Sequence, residues 1–162
     1  MPTCRPETVA FTATAPVRAS AVREVSGTPD EVFAVLADAE GWTNWFPGLR
    51  SAGWTSQGPH GVGSTRTVTV GPLQVEEEFI VWEPGRRFGF TFTGTNLPGT
   101  RAGVELVELV PVDDGRRTRV SYTLSAEPVG LPRLIGARLT PIVRAALGGG
   151  LRGLDREVQR RA

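Results

Sequence analysis

The sequence predicts an α+β fold, a curved antiparallel sheet closed by one long C-terminal helix. Three observations carry it. From residue 64 onward, alternating apolar and polar segments follow one another, each ended by turn residues such as Gly71-Pro72, Pro84-Gly85, Pro98-Gly99 and Asp114-Gly115. Residues 131–160 lack that alternation and read as a single helix, roughly 40 Å long at ~1.5 Å per residue. Between residues 28 and 47, a well-started short helix is followed at once by two tryptophans.

That early helix spans 29–37. Thr28 suits the N-cap, Pro29 the first position, and Asp30 and Glu31 face the positive end of the dipole. Val32, Phe33, Leu36 and Ala37 share one face. A second short helix is expected over 41–46, carrying Trp42 and Trp45. Strands are expected over 18–25, 49–55, 64–70, 73–82, 87–93, 102–112 and 118–126, with a loop over 57–63. Short connections between successive strands imply an antiparallel meander. Residues 1–17, with Pro2, Pro6 and Pro16 among small and polar residues, read as a flexible, loosely held extension, leaving 18–162 as one domain. In the C-terminal helix Ile135, Leu139 and Ile142 form one stripe. Leu147, Leu151, Leu154 and Val158 form another, and the phase slips at Gly148-Gly149-Gly150.

Composition removes several classes. The net charge of +1 gives no overall field to steer nucleic acid or an anionic membrane. All 18 basic residues are arginine, so Schiff-base chemistry and a P-loop lysine are absent. One cysteine, Cys4, permits no internal disulfide, which fits a cytoplasmic setting. One histidine, His60, cannot supply a histidine-rich metal site. No apolar run approaches the length of a membrane span.

Strand alternation and even-numbered hairpin loops fix an inner face. Val68 opposes Val75 and Arg66 opposes Glu77. Val81, Phe79 and Glu77 oppose Phe88, Phe90 and Phe92. Phe88 and Phe90 oppose Val107 and Glu105, while Leu109 and Val107 oppose Val120 and Tyr122. All four hairpins give one apolar face, which must meet the long helix. The other face is threonine-, serine- and glutamate-rich, with Ile80 and Trp82 as unexplained exceptions. Four polar side chains fall on the apolar face: Arg66, Glu77, Glu105 and Tyr122. Arg66 and Glu77 can pair across the strands. Polar groups on a greasy wall point to a cavity for water or ligand. Glu105 has no assigned partner: either the register slips there or the side chain reaches the cavity mouth, and because an unpaired buried carboxylate is rare, the slip is the favoured reading.

In these features the chain resembles the START-like helix-grip superfamily (SRPBCC), in its polyketide cyclase/dehydrase-like branch. The matching residues are Thr28-Pro29-Asp30-Glu31-Val32-Phe33 with Leu36-Ala37-Asp38, then Trp42, Trp45 and Pro47, Gly61-Val62-Gly63-Ser64, Trp82-Glu83-Pro84-Gly85-Arg86-Arg87, and Leu151, Leu154 and Glu157. The resemblance implies a seven-stranded antiparallel sheet around the C-terminal helix, two short helices after the first strand, and a deep cavity for an apolar ligand.

The expected ligand-binding residues are Trp45, Arg66, Glu77, Phe79, Val81, Phe88, Phe90, Val107, Val120, Tyr122, Leu147, Leu151 and Leu154. Arg66, Glu77 and Tyr122 would orient the ligand. Trp42 and Trp45 either fill the helix corner or form a lid, with Trp45 the better lid beside the Phe46-Pro47 hinge. His60 reads as solvated. The triple glycine breaks the helix or shapes the cavity. The favoured function is binding or carriage of a hydrophobic small molecule (lipid, polyketide or isoprenoid-like), by a monomer or homodimer that needs no cofactor or metal. The alternative is a cyclase or dehydratase with Glu77 or Tyr122 as the candidate catalytic proton-transfer groups. A third reading, a protein-interaction module, rests on Ile80 and Trp82 alone.

Overall fold

Seven antiparallel strands form one sheet in the order β1-β7-β6-β5-β4-β3-β2. The strands are β1 (Val17–Val25), β2 (Leu49–Trp54), β3 (Thr65–Val70), β4 (Leu73–Glu83), β5 (Arg87–Thr95), β6 (Thr100–Val112) and β7 (Arg117–Pro128). The computed structural model describes residues 1–130 and 133–162, and side chains outside 131–137. One turn of helix, α1 (Phe11–Thr14), precedes β1; α2 (Pro29–Ala37) and a 3-10 helix (Glu40–Asn44) lie between β1 and β2; α3 (Arg133–Arg161) closes the chain. The helix start expected at residue 131 and the Ile135 side chain lie outside the described residues.

α2 begins as its sequence dictates. The Thr28 hydroxyl accepts from the Glu31 amide at 3.3 Å, and the Glu31 carboxylate accepts from the Thr28 amide at 2.8 Å. The second half of α3 packs on the sheet, burying Leu147, Leu151, Leu154 and Val158. Glu157 takes hydrogen bonds from Arg160 and Arg161, and Arg161 reaches Asp38 after α2 at 2.7 Å.

The register agrees with the hairpin arithmetic for Arg66 with Glu77, Phe79 with Phe90, Phe90 with Glu105, and Val107 with Tyr122. Along β4 and β5 it shifts twice, between Glu76 and Glu77 and again between Phe79 and Val81, and only the second overturns an expected pair. A bulge between Phe79 and Val81 pairs Val81 with Gly89 and Trp82 with Phe88. One extra residue inverts the facing of everything beyond it. Trp82 therefore turns inward, 5.3 Å from the Phe88 ring and 5.6 Å from Phe33. Val81 turns outward against Gly89 and Leu106, which corrects its expected place on the inner wall.

Residues 1–17 are not the loose extension expected. Thr3 bridges to Gly94, the Cys4 amide donates to the Thr93 carbonyl at 2.9 Å, and the Arg5 amide to Arg101 at 2.8 Å. Phe11 buries against Ala102, Val104 and Ile80 on the outer face. The segment supplies partners for backbone groups and apolar side chains that the outer face would otherwise leave in water. Thr91, on that threonine-rich outer face, lies buried beneath it and accepts from the Glu7 amide at 2.9 Å. Ile80 and Trp82 thus both have protein partners, which removes the sequence feature behind the interaction-module reading.

The first half of α3 behaves differently from the expected Ile135–Leu139–Ile142 stripe. Leu139 and Ile142 are 42% and 66% exposed.

Candidate functional site

The inner face carries a compact polar cluster among aromatic rings. Arg66 on β3 and Glu77 on β4 are direct cross-strand neighbours. Arg66 Nε donates to Glu77 Oε2 at 2.5 Å, with both side chains almost fully buried. The guanidinium lies over three rings, its Cζ 4.2 Å from the Trp42 centroid, 4.7 Å from Phe90 and 5.2 Å from Phe79. Those rings hold the cation by their quadrupoles. The two terminal nitrogens of Arg66 are buried without an acceptor. Burial pushes the Glu77 carboxyl above its usual range, and the adjacent guanidinium opposes that rise.

A second acid sits two strands away. Glu105 keeps its place opposite Phe90 with no slip, so the favoured reading from sequence is corrected. Its partner is the Tyr122 hydroxyl, which donates to the carboxylate. Burial, and then the negative charge of Glu77, push Glu105 up to about 7; the Tyr122 hydrogen bond and Arg66 oppose this. Burial and the Glu105 charge raise Tyr122 well above its normal value. The signal was available in the register. With Phe90 opposite Glu105 and Val107 opposite Tyr122, the acid and the phenol are diagonal neighbours across β6 and β7.

The structure brings together Trp45, Arg66, Glu77, Phe79, Phe88, Phe90, Val107, Val120, Tyr122, Leu147, Leu151 and Leu154 inside the fold, while Val81, though buried, stands outside this cluster on the opposite face. The expected open hollow between sheet and helix is instead occupied by the chain's own rings. Trp42 and Trp45 are buried, their centroids 4.5 Å apart, and Phe46 reaches to 6.4 Å from Tyr122. Trp42 Nε1 donates to the Leu36 carbonyl at 2.8 Å, while Trp45 Nε1 is buried without an acceptor. The glycines of α3 make this closure possible. A Cβ on Gly150 would stand 2.9 Å from the Phe46 ring, and one on Gly153 would overlap the Trp45 carbonyl oxygen. Their role is close approach of helix to the tryptophan segment, beyond any breaking of the helix. His60 is half-buried and stacks on Trp54 at 3.9 Å, not freely solvated.

A groove of about 530 Å³ opens between β1 and α3, lined by Ala21, Val22, Pro141, Arg144, Gly148 and Arg152 among others. Ala21 pairs with Tyr122 across β1 and β7, so the floor of the groove adjoins the Tyr122–Glu105 pair. No helix among the described residues is long and apolar enough to cross a membrane.

The comparisons agree with this geometry. The fold matches the aromatase/cyclase Zhui of Streptomyces sp. R1128 with a TM-score of 0.74, at 16% identity over 89% of this chain and 94% of that one. It matches a START superfamily protein from Mycobacterium smegmatis with a TM-score of 0.71, at 14% identity over 90% and 99% of the two chains. An uncharacterised protein of Mycobacterium tuberculosis is 32% identical over 154 residues, covering 94% of this chain and 91% of its own. The model of the polyketide cyclase/dehydrase and lipid transport family matches residues 16–159, so the helix-grip sheet, its closing helix and the polar cluster between them all lie within the matched span. The chain belongs to the polyketide cyclase/dehydrase and lipid transport family, and its fold is that of a START superfamily protein and of an aromatase/cyclase.

Proposed function

We propose that the protein binds and carries a hydrophobic ligand bearing one hydrogen-bond acceptor, such as the carboxylate or ketone of a lipid or polyketide-like chain. The observation that carries this reading is Arg66. Its terminal nitrogens are buried donors without acceptors, an arrangement that costs about 1–3 kcal/mol per unsatisfied group. A ligand oxygen placed there removes that cost. The apolar rings around it suit the remainder of the ligand. The groove between β1 and α3 is the approach, and the Trp42–Phe46 segment moves aside as the ligand enters. Trp45, Arg66, Glu77 and Tyr122, with the apolar residues of the inner wall, would then form the binding site.

Tryptophan fluorescence tests this directly. Titration with myristate, an apolar chain ending in a carboxylate, is expected to shift the emission of Trp42 and Trp45 and to saturate. The paired deletion Arg66→Met/Glu77→Leu removes both members of the ion pair, so neither is left stranded without the other. It is expected to bind myristate at least about tenfold more weakly, a loss of about 1.4 kcal/mol. Equal affinity in the double variant would remove Arg66 as the anchor.

One observation favours a catalytic reading. Glu105, at about 7 and in contact with Tyr122, is poised to exchange a proton near neutral pH. In a cyclase or dehydratase this pair would move the proton while Arg66 polarises a carbonyl. Glu105 fits that role better than Glu77, whose carboxylate is tied to the guanidinium. A Glu105→Gln variant that still binds ligand but no longer exchanges its α-protons with deuterated water would support it. Unchanged exchange would exclude it.

A further inference from the structure

We propose that the exposed stretch of α3 from Arg138 to Ala146, with Val129 and the Leu97 loop tip, docks on an anionic lipid bilayer. Large apolar side chains are exposed on α3, just past β7 and at the β5–β6 loop. Ile142 is 66% exposed, Leu139 42%, Val129 44% and Leu97 44%. The Val129 amide donates to the Gly99 carbonyl at 2.6 Å, which ties the β5–β6 loop tip to the turn that leads into α3. Pro141 and the 62%-exposed Val22 carry the apolar surface on to the rim of the β1–α3 groove.

The charge pattern selects the partner. Between Val129 and Leu154 the sequence holds Arg133, Arg138, Arg144 and Arg152 and no aspartate or glutamate. Half of the chain's arginines are matched by carboxylates among the described residues, as in Arg5 with Glu7 and Glu127, Arg117 with Glu24 and Asp113, and Arg161 with Asp38 and Glu157; what sets this stretch apart is the absence of any acid along it. Arg138 and Arg144 are exposed and form no ion pair among the described residues. The whole-chain charge of +1 therefore conceals a local cationic face. Basic residues interleaved with exposed aliphatic ones on a helix are the pattern that lies in a lipid interface, with arginines at the headgroups and aliphatic chains below. A second copy of the same face is disfavoured, because it would set arginine against arginine with no acid between. Docking here would also turn the groove toward the lipid, although the surface stands on its own whether or not cargo binds.

Co-sedimentation with vesicles tests the surface without any cargo. Vesicles of phosphatidylcholine mixed with phosphatidylglycerol are expected to pull down the protein, and pure phosphatidylcholine vesicles are not. Binding should weaken as salt rises. Ile142→Asp, at an exposed position that the fold does not need, should reduce vesicle binding about tenfold or more with an unchanged circular dichroism spectrum. Arg138→Gln should flatten the salt dependence. The proposal is overturned if anionic vesicles do not bind the wild-type chain, or if Ile142→Asp binds as wild type does. It is also overturned if sedimentation velocity shows a dimer that Ile142→Asp dissociates, which would make the face a contact between copies. Failure of myristate binding leaves this assay unaffected, so the two readings fail separately.

Discussion

The Tyr122 hydroxyl donates a hydrogen bond to the Glu105 carboxylate across the β6–β7 ladder, with the Phe46 ring 6.4 Å from the phenol ring. This pair and the Arg66–Glu77 pair lie on the same face, separated by β5 with Phe90 and Phe92. One cation and two acids share one interior, so both carboxyls cannot ionise without strain. Glu105 gives way, because Glu77 holds the guanidinium directly.

Stability should therefore depend on pH through Glu105. Its folded value, about 7, lies above the ordinary 4.5. The native state binds more protons than the unfolded chain between those values, so unfolding free energy falls as pH rises from about 4.5 to about 7 and then levels. Glu105→Gln keeps an acceptor for Tyr122 and cannot ionise. It is expected to raise stability relative to wild type at pH 8 and to change little at pH 4, read from urea midpoints at both. A variant whose pH slope matches wild type would show that the acid is not held against its charge.

The Arg66–Glu77 pair should behave as one unit. Removing one member of a buried pair strands the other, at about 3–5 kcal/mol. Arg66→Met is expected to lower the unfolding free energy by that amount, read as a lower urea midpoint at unchanged slope. Arg66→Met/Glu77→Leu is expected to cost less than Arg66→Met alone. Additive losses at constant slope would indicate two independent side chains.

Much of this interior is legible in the sequence, because hairpin loops of even length leave the register little freedom. Arg66 opposite Glu77 and Val107 opposite Tyr122 follow from turn residues alone. The bulge after Phe79 does not, since an extra residue in one strand has no local signature in Val81 or Trp82, yet it exchanges their faces. The same arithmetic places Glu105 on the inner face, but direct cross-strand pairing finds it no partner, because its partner is diagonal rather than opposite. The filled interior was the least legible feature. The space that alternation assigns to a ligand is the space that Trp42, Trp45 and Phe46 occupy, and only the approach of α3 at Gly150 and Gly153 shows how they fit.

Those glycines should not be equivalent. A Cβ at Gly153 overlaps backbone at Trp45, which cannot rotate away as a side chain can. Gly153→Ala is expected to cost about 3 kcal/mol through forced separation of α3 from the 3-10 segment. Gly148 faces open space, with Arg152 Nη1 the nearest atom at 3.8 Å. Gly148→Ala is expected to gain up to about 1 kcal/mol from helix propensity. Thermal melts of the two variants should move in opposite directions, and a Gly153→Ala midpoint at or above wild type would contradict the close approach.

The N-terminal segment should contribute measurably to stability. Phe11 is 8% exposed and covers Ala102, Val104 and Ile80, a small cluster separate from the main core. Phe11→Ala is expected to cost about 2–3 kcal/mol, the low end for a buried aromatic, because so few neighbours surround it. Deleting residues 1–15 removes more. The Thr93 and Arg101 carbonyls lose the Cys4 and Arg5 amides, and Ile80 is left facing water on the sheet. The truncated protein is therefore expected to melt lower than Phe11→Ala and to bind a hydrophobic dye that the full chain does not. If truncation leaves both the melting temperature and dye binding unchanged, the segment is not held on the outer face in solution.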